Sequence, residues 1–421
     1  MSKTVSIVLA GGSKTGFGIL TLNRAKASLP FAGNYRLIDF SLSNLTNSGI
    51  EQIGIITQYM PSSLIEHVGI GRAWDLLGYG RSIKIMPPFV GLEHTDWYKG
   101  TTDAVYKNLN FVDDLDPDFV LIASGEHVYH LDFGRLISFH EERDADLTIV
   151  AKRLSSERVN PQLGYLNMGD DQAVSFFKEK PRRKVSNLAS VGIYLFKAEV
   201  LKNALIENAA TGAAYNLARD VIENMVPGEK VFGYEMETYW EYIADAAEYF
   251  SVTMDTLNPD SPLKIDQWGV LTNLEDRALG YRPPSLIKPG AEVEESLISP
   301  DCVIEGVVKH SVLSPGVTVE AGATVEDSII MHDCVIRSGA HVRNVIADKD
   351  VVFGNGCVVC TDEKKPHHNR ELPNSVTNLS LIGKGAIIGK EIEIGTNCQV
   401  YPKVNLQMFR GRTFGSGMNI R

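Results

Sequence analysis

Short apolar runs alternate with amphipathic stretches through roughly the first 255 residues. Val5–Leu9 is a β-rich run that ends in Ala10-Gly11-Gly12. Ile53–Ile56 is a second, followed over Pro61–His67 by apolar residues at helical spacing. Phe119–Ala123 is a third and ends in Ser124-Gly125-Glu126; Leu147–Ala151 is a fourth. Strands separated by helix-length segments predict an α/β domain with a mostly parallel, Rossmann-like sheet. Ligands of such sheets bind beyond the carboxyl ends of the strands, so the turns after Leu9 and Ala123 are where chemistry is expected.

The pattern changes near residue 255. Asn258-Pro-Asp-Ser-Pro262 and Tyr281-Arg-Pro-Pro284 bracket a connecting segment over 256–285. Beyond it, aliphatic residues recur every five or six positions: Val293, Ile298, Val303, Val308, Leu313, Val319, Val325, Ile330, Ile336, Val342. Gly, Asp and Asn stand between them. A helix needs a period of 3.6 and a plain strand a period of 2. A period near six predicts a hexapeptide coil, here a left-handed β-helix over 286–421 following a first domain over 1–255. A polar segment at 361–378 interrupts the repeat.

Composition narrows the class. Apolar residues are 44 % and charged residues 22 % of 421, ordinary globular usage that excludes a fibre or a disordered tail. The net charge of −11 argues against broad nucleic-acid binding while leaving room for a local cationic pocket. No apolar run reaches the length of a membrane span, and the opening apolar run is too short for a signal peptide. All five cysteines, Cys302, Cys334, Cys357, Cys360 and Cys398, lie in the last third, and a cytoplasmic, reduced setting is expected. Cys357-x-x-Cys360 has no second pair to complete a zinc site, so buried cysteines of the coil are the simpler reading.

Six stretches carry candidate chemistry. Leu9-Ala-Gly-Gly12-Ser-Lys-Thr-Gly16-Phe-Gly18 is a glycine-rich turn after a strand, where backbone N–H groups can approach phosphates, although a tight structural turn would read the same way. Arg24-Ala-Lys26 and Arg36 follow it; cations there suit an anionic ligand, or simply a solvated turn. Trp97-Tyr-Lys-Gly100-Thr101 and Ser124-Gly125-Glu126-His127 come next, the latter placing a carboxylate at a strand end where Mg²⁺ could bridge phosphates. Phe177-Lys-Glu179-Lys180-Pro181 and Leu188-Ala-Ser190-Val-Gly192-Ile-Tyr194 complete the set.

In order and spacing these stretches resemble the ADP-glucose pyrophosphorylase (glucose-1-phosphate adenylyltransferase) family of sugar nucleotidyltransferases, whose members read LAGGxGTRL, RAKPA, PFGGKYRLIDF, WYxGTADAV, SGDHIY, FxEKP, LASMGIY and YWRDVGT before a C-terminal β-helix. Tyr35-Arg-Leu-Ile-Asp-Phe-Ser-Leu-Ser-Asn44 is especially specific. The resemblance implies joining of ATP and glucose 1-phosphate into ADP-glucose and pyrophosphate, for glycogen or starch synthesis. It implies tetramers of one or two chain types, regulated by phosphorylated metabolites. It places Gly11, Gly12, Gly100 and Thr101 by the nucleotide, Lys26 on the phosphates, and Glu179, Lys180 and Ser190 on glucose 1-phosphate. Effector cations would be Arg36 and, near the C-terminus, Arg410, Arg412 and Arg421.

The chain departs from that pattern at particular places. The arginine of the glycine-rich loop is replaced at Gly16, with Lys14 as a nearby point charge. The two aspartates that hold the family's Mg²⁺ correspond to Glu126 and Tyr242. Glutamate is longer by a methylene, moving its oxygens by roughly 1 Å in a site that demands near-octahedral geometry. A neutral phenol does not replace a carboxylate on magnesium; a one-residue shift would bring Glu241 in. The expectation is a catalytically weak or inactive regulatory subunit that still binds a sugar phosphate. The alternatives are an active enzyme, with Mg²⁺ in a rebuilt site, and an assembly subunit that binds neither substrate.

Overall fold

The computed structural model describes residues 2–11, 16–89, 97–212, 215–274, 281–360 and 367–421. Two compact units share the chain. One comprises Met1–Gly12, Ile38–Tyr242 and Asp266–Leu271; the other comprises Ser13–Leu37, Ile243–Ile265 and Thr272–Arg421. This division differs from the single boundary expected at 255. The segments 13–37 and 243–265 group with the coil, and polar groups of Ile19, Arg24 and Asp245 find partners within that unit. Ile19 donates its N–H to Gln399 at 3.2 Å, and Arg24 pairs with Asp348.

The first unit is built on a nine-stranded sheet. Its strands are β1 (Thr4–Leu9), β2 (Gln52–Ile56), β3 (Ser82–Met86), β4 (Phe119–Ser124), β6 (Leu147–Arg153), β7 (Gly164–Met168), β8 (Val174–Glu179), β9 (Leu188–Lys197) and β10 (Val231–Glu235), while β5 (His127–Tyr129) and β11 (Trp240–Tyr242) form a separate ribbon. The order is β8-β7-β9-β4-β1-β2-β3, with β6 joining β9 to β10. β1 runs parallel to β2 and β4, and β2 to β3, as the buried aliphatic runs require. The sheet is mostly parallel, as expected, with β9 running antiparallel to β4, β6 and β7, and β8 antiparallel to β7. β7 and β8 form an antiparallel pair closed by a tight turn. Val5, Ile7, Val120, Ile122, Ile149 and Phe196 are fully buried in its core.

Helices α1 (Leu37–Asn47), α2 (Ser62–Val68), α3 (Thr101–Lys107) and α4 (Phe133–Glu142) connect the strands. α2 lies one residue beyond the helical spacing read from the sequence. α4 is capped by Asp132, whose carboxylate accepts from the N–H groups of Gly134 and Arg135, and it buries Phe133, Leu136 and His140 on one face.

The second unit is the left-handed β-helix: three parallel sheets of two- and three-residue strands. Its coils stack in strict register. Thr318 pairs with Val335 and Val335 with Val352, each step 17 positions on. Asp301, Asp333 and Asp350 stand at turns with φ of +65°, +59° and +62°, where a short polar side chain tolerates the left-handed region. The repeat spans one interruption, where Val352 pairs with Ile387, 35 positions on, without losing register. All five cysteines are buried free thiols. Burial pushes the Cys357 and Cys360 thiols up to about 12, which suits packing rather than metal binding. Helix α5 (Ala246–Met254) also belongs to this unit and is capped by Asp245. Among the described residues no helix is long and apolar enough to cross a membrane.

Candidate active site

A cavity of about 370 Å³ opens in the first unit at the carboxyl ends of β1 and β4. The expected residues Gly11, Gly100, Thr101, Glu126, Glu179, Lys180 and Ser190 all line it, and so does Tyr242. Gly12 and Lys14 lie outside the described residues.

Backbone packing explains several of these positions. A Cβ at Gly125 would stand 3.0 Å from Val8 and 3.4 Å from Ile38, so glycine lets the turn after β4 lie close on the core. That turn carries Glu126, whose N–H donates to Ser124 Oγ at 3.3 Å. Gly100 is extended, but a Cβ there would meet the Tyr215 carbonyl oxygen at 2.3 Å. The next residue, Thr101, accepts the Leu217 N–H on its Oγ1 at 2.9 Å. Leu217–Ile222 is a π-helical turn, a form that often marks functional sites.

The opposite end holds Glu179 and Lys180. Glu179 faces Gly164 across β7 and β8, and a Cβ at Gly164 would come within 2.8 Å of Glu179 Oε2. The glycine therefore makes room for the carboxylate. Burial raises the Glu179 pKa, while Lys180 and Arg219 pull it down. Lys180 takes φ +46° and donates its N–H to the Leu163 carbonyl at 3.1 Å. Ser190 donates from Oγ to the Tyr194 hydroxyl at 3.2 Å. The Tyr194 pKa is raised, first by burial and then by Glu179. Gly192, at φ +72°, sits in the irregular stretch of β9 between Ser190 and Tyr194.

The ribbon of β5 and β11 bears on the position expected for a metal ion. Tyr242 stands directly opposite His127, the neighbour of Glu126. Their rings meet edge to face with centroids 5.2 Å apart. Trp240 Nε1–H donates to His127 Nδ1 at 3.2 Å. Glu241 is opposite Val128, and successive strand residues face opposite ways. It pairs with Arg158 at 2.5 Å. Asp245 accepts from the Ala247 and Glu248 N–H groups and from Ser375 Oγ. Among the described residues no three His, Cys, Asp or Glu side chains converge as a metal site. One carboxylate beside a phenol does not fit the two-aspartate arrangement that holds Mg²⁺ in the family.

The other expected residues lie in the second unit. Lys26 is buried, its ammonium 5.3 Å from the Phe17 ring centre. Arg36, expected to meet an effector, is 3 % exposed and donates to the Ser28 carbonyl at 2.8 Å, so its guanidinium is committed to the chain. Arg410 pairs with Glu391 at 3.1 Å, Arg412 lies over the Phe409 and Phe414 rings, and Arg421 pairs with Glu371 at 2.7 Å. Gln58, Gly164 and Gln162 line the cavity without having been singled out in the sequence. Tyr98, His127 and Tyr194 lay inside quoted motifs but carried no role. Their signal was position at or near strand and helix ends.

The nucleotidyl transferase family matches residues 5–258, and the GlmU-like C-terminal hexapeptide family matches residues 288–375. Glucose-1-phosphate adenylyltransferases of Bacillus thuringiensis (strain Al Hakam), Bacillus mycoides (strain KBAB4) and Bacillus anthracis are each 37 % identical over 361 residues, covering 85 % of this chain and 94 % of theirs. The cavity, the motifs at its rim and the C-terminal coil agree with these matches, and the chain belongs to the glucose-1-phosphate adenylyltransferase family of nucleotidyl transferases.

Proposed function

We propose that this chain is a cytoplasmic regulatory subunit of ADP-glucose synthesis, weak or inactive in adenylyl transfer, that still binds a sugar phosphate. The family transfers an adenylyl group from ATP to glucose 1-phosphate and generally uses Mg²⁺. The observation that carries the proposal is the pairing of Tyr242 with His127, which puts a phenol in the same cavity lining as Glu126. At the other end Glu179, Lys180 and Ser190 retain the groups for a hexose phosphate: a carboxylate for sugar hydroxyls and an ammonium for the phosphate. Retention of that end favours a binding subunit over one that serves assembly alone. An active enzyme with a rebuilt metal site needs a second carboxylate, and Glu241 is engaged by Arg158.

In this reading the chain joins a homo- or heterotetramer, with a catalytic family member as its partner in the mixed form. A phosphorylated metabolite acts as effector. Arg410, Arg412 and Arg421 would meet it only by giving up their present contacts.

The test is pyrophosphate release from ATP, glucose 1-phosphate and Mg²⁺. The purified chain alone should be at least about 10²-fold slower than a relative carrying both aspartates, as loss of a charge-stabilising group predicts. Turnover near 10 s⁻¹, an ordinary enzyme rate, would overturn the proposal.

A further inference from the structure

Resting on the sugar-phosphate reading above, we infer that Glu223 is a positioning residue for that ligand: its carboxylate fastens the strand end bearing Glu179 and Lys180 to the turn that forms the adjoining cavity wall, and so fixes where the hexose phosphate is held.

β8 stands at the edge of its sheet, beyond β7. The N–H of Lys180 is taken on the inner side, by the Leu163 carbonyl at 3.1 Å. The N–H of Glu179 goes instead to Glu223, whose Oε1 accepts it at 2.7 Å. An edge strand leaves donors without a ladder partner, and here a side chain from a distant part of the sequence supplies the acceptor. The second oxygen, Oε2, accepts from Lys178 Nζ, also at 2.7 Å. The Glu223 side chain is 15 % exposed and that of Lys178 is 48 % exposed. The ion pair is therefore partly screened, and the bond to the strand backbone carries more of the tie.

Glu223 directly follows the π-helical turn Leu217–Ile222. The start of that turn is fixed to the other rim. Thr102 donates its N–H to the Tyr215 carbonyl at 2.9 Å, and Leu217 donates its own to Thr101 Oγ1 at 2.9 Å. Asn216 caps the turn by accepting the Arg219 N–H at 2.9 Å. Asn216, Leu217 and Ala218 line the cavity between these two anchorages. The turn is thus a strut, held by Thr101 and Thr102 at one end and by Glu223 on Glu179 at the other. With the second end released, Glu179 and Lys180 keep their chemistry but lose their fixed placement, which costs affinity.

The charges around Glu179 add a signature of this contact. Burial raises the Glu179 pKa and Glu223 adds to the rise, while Lys180 and Arg219 oppose it. Tyr194, on β9, feels the same carboxylate. Removing the Glu223 charge lets Glu179 hold its own charge to lower pH.

Calorimetric titration of the full chain with glucose 1-phosphate, at neutral pH and down the acidic limb, tests this. Glu223→Ala should bind about tenfold more weakly at neutral pH, the scale of one lost hydrogen bond to a charged group. Glu223→Gln keeps an acceptor for the Glu179 N–H and should stay within about threefold of the unmodified chain, with its acidic limb displaced to lower pH. Lys178→Ala removes only the ion pair and should bind like the unmodified chain. Glu223→Met takes the place of the alanine variant if that one does not fold. Full affinity in the variant without an acceptor, an equal loss in Glu223→Gln, or a Glu223→Gln limb that does not move overturns the inference and leaves the binding-subunit reading in place. No glucose 1-phosphate binding by the unmodified chain overturns both.

Discussion

The guanidinium of Arg24 donates two hydrogen bonds to the carboxylate of Asp348, at 2.6 and 2.9 Å, and both side chains are almost fully excluded from water. Asp348 also accepts the N–H of Lys349. An arginine that follows a glycine-rich loop in sequence thus serves as a tie between the 13–37 segment and the coil within the second unit. A buried pair of this kind is costly to break on one side only, because a charge is left stranded.

Asp348→Ala should therefore destabilise the chain by about 3–5 kcal/mol. Arg24→Met with Asp348→Leu should recover much of that loss, since neither charge remains. Denaturant unfolding of the three proteins measures both numbers. Equal stability of Asp348→Ala and the unmodified chain would show that the pair is not a tie.

Rebuilding the catalytic pattern should succeed only in part. Glu126→Asp with Tyr242→Asp returns two carboxylates to the cavity wall and should raise pyrophosphate release by about 10²-fold, more than either single change, because ligands of one metal act as a unit. Gly16→Arg should instead cost stability. Gly16 holds φ +99°, and a Cβ there would lie 2.9 Å from both the Ala244 carbonyl oxygen and Asp245 Cβ. A melting temperature unchanged by Gly16→Arg would contradict this packing.

Sugar-phosphate binding should weaken on acidification from above the ordinary glutamate range. Burial raises the Glu179 pKa, so the carboxylate is lost earlier as pH falls than an exposed glutamate would be. Glu179→Gln should bind more weakly at neutral pH, and its affinity should be flat across that acidic limb. A limb that survives in the variant would assign the titration to another group.

His140 should make the fold acid-sensitive. It is fully buried against Thr148, and burial, aided by Lys197, lowers its pKa from 6.5 to about 4. The unfolded chain takes up this proton near 6.5 while the folded chain resists until about 4. Stability is therefore full above 6.5 and falls as pH drops through that window, by up to about 3 kcal/mol. Unfolding free energies at pH 7 and at about pH 4.5 measure it, and His140→Gln should reduce the slope. An unchanged slope would remove His140 as the cause.

Much of this architecture was legible in the chain. The near-six spacing from Val293 onward can be satisfied only by short strands and corners, and strand ends at Leu9 and Ser124 mark the cavity because parallel β1 and β4 must finish together. Charge partners were not legible. Nothing local to Arg24 points to Asp348, 324 positions away, and Arg36 reads as a surface cation although its guanidinium is buried on the Ser28 carbonyl. The register of Tyr242 on His127 also depends on a long-range pairing. Once that pairing is known, strand alternation alone sends Glu241 to the other side. The reversed direction of β9 within the mostly parallel sheet was not legible, because an apolar run such as Leu188–Lys197 has the same composition whichever way it points.

The coil's short step, 17 residues at most of its layers, also bears on how it forms. Each turn meets only its neighbours, so the structure can grow from any completed turn, adding one layer at a time. The layer closed by Val352 and Ile387 requires a loop about twice as long. Doubling a flexible loop adds only about 0.6 kcal/mol of closure entropy, a slowing of roughly threefold. Growth should pause briefly at that layer and then continue, which makes the interruption a place where sequence length can vary at little kinetic cost.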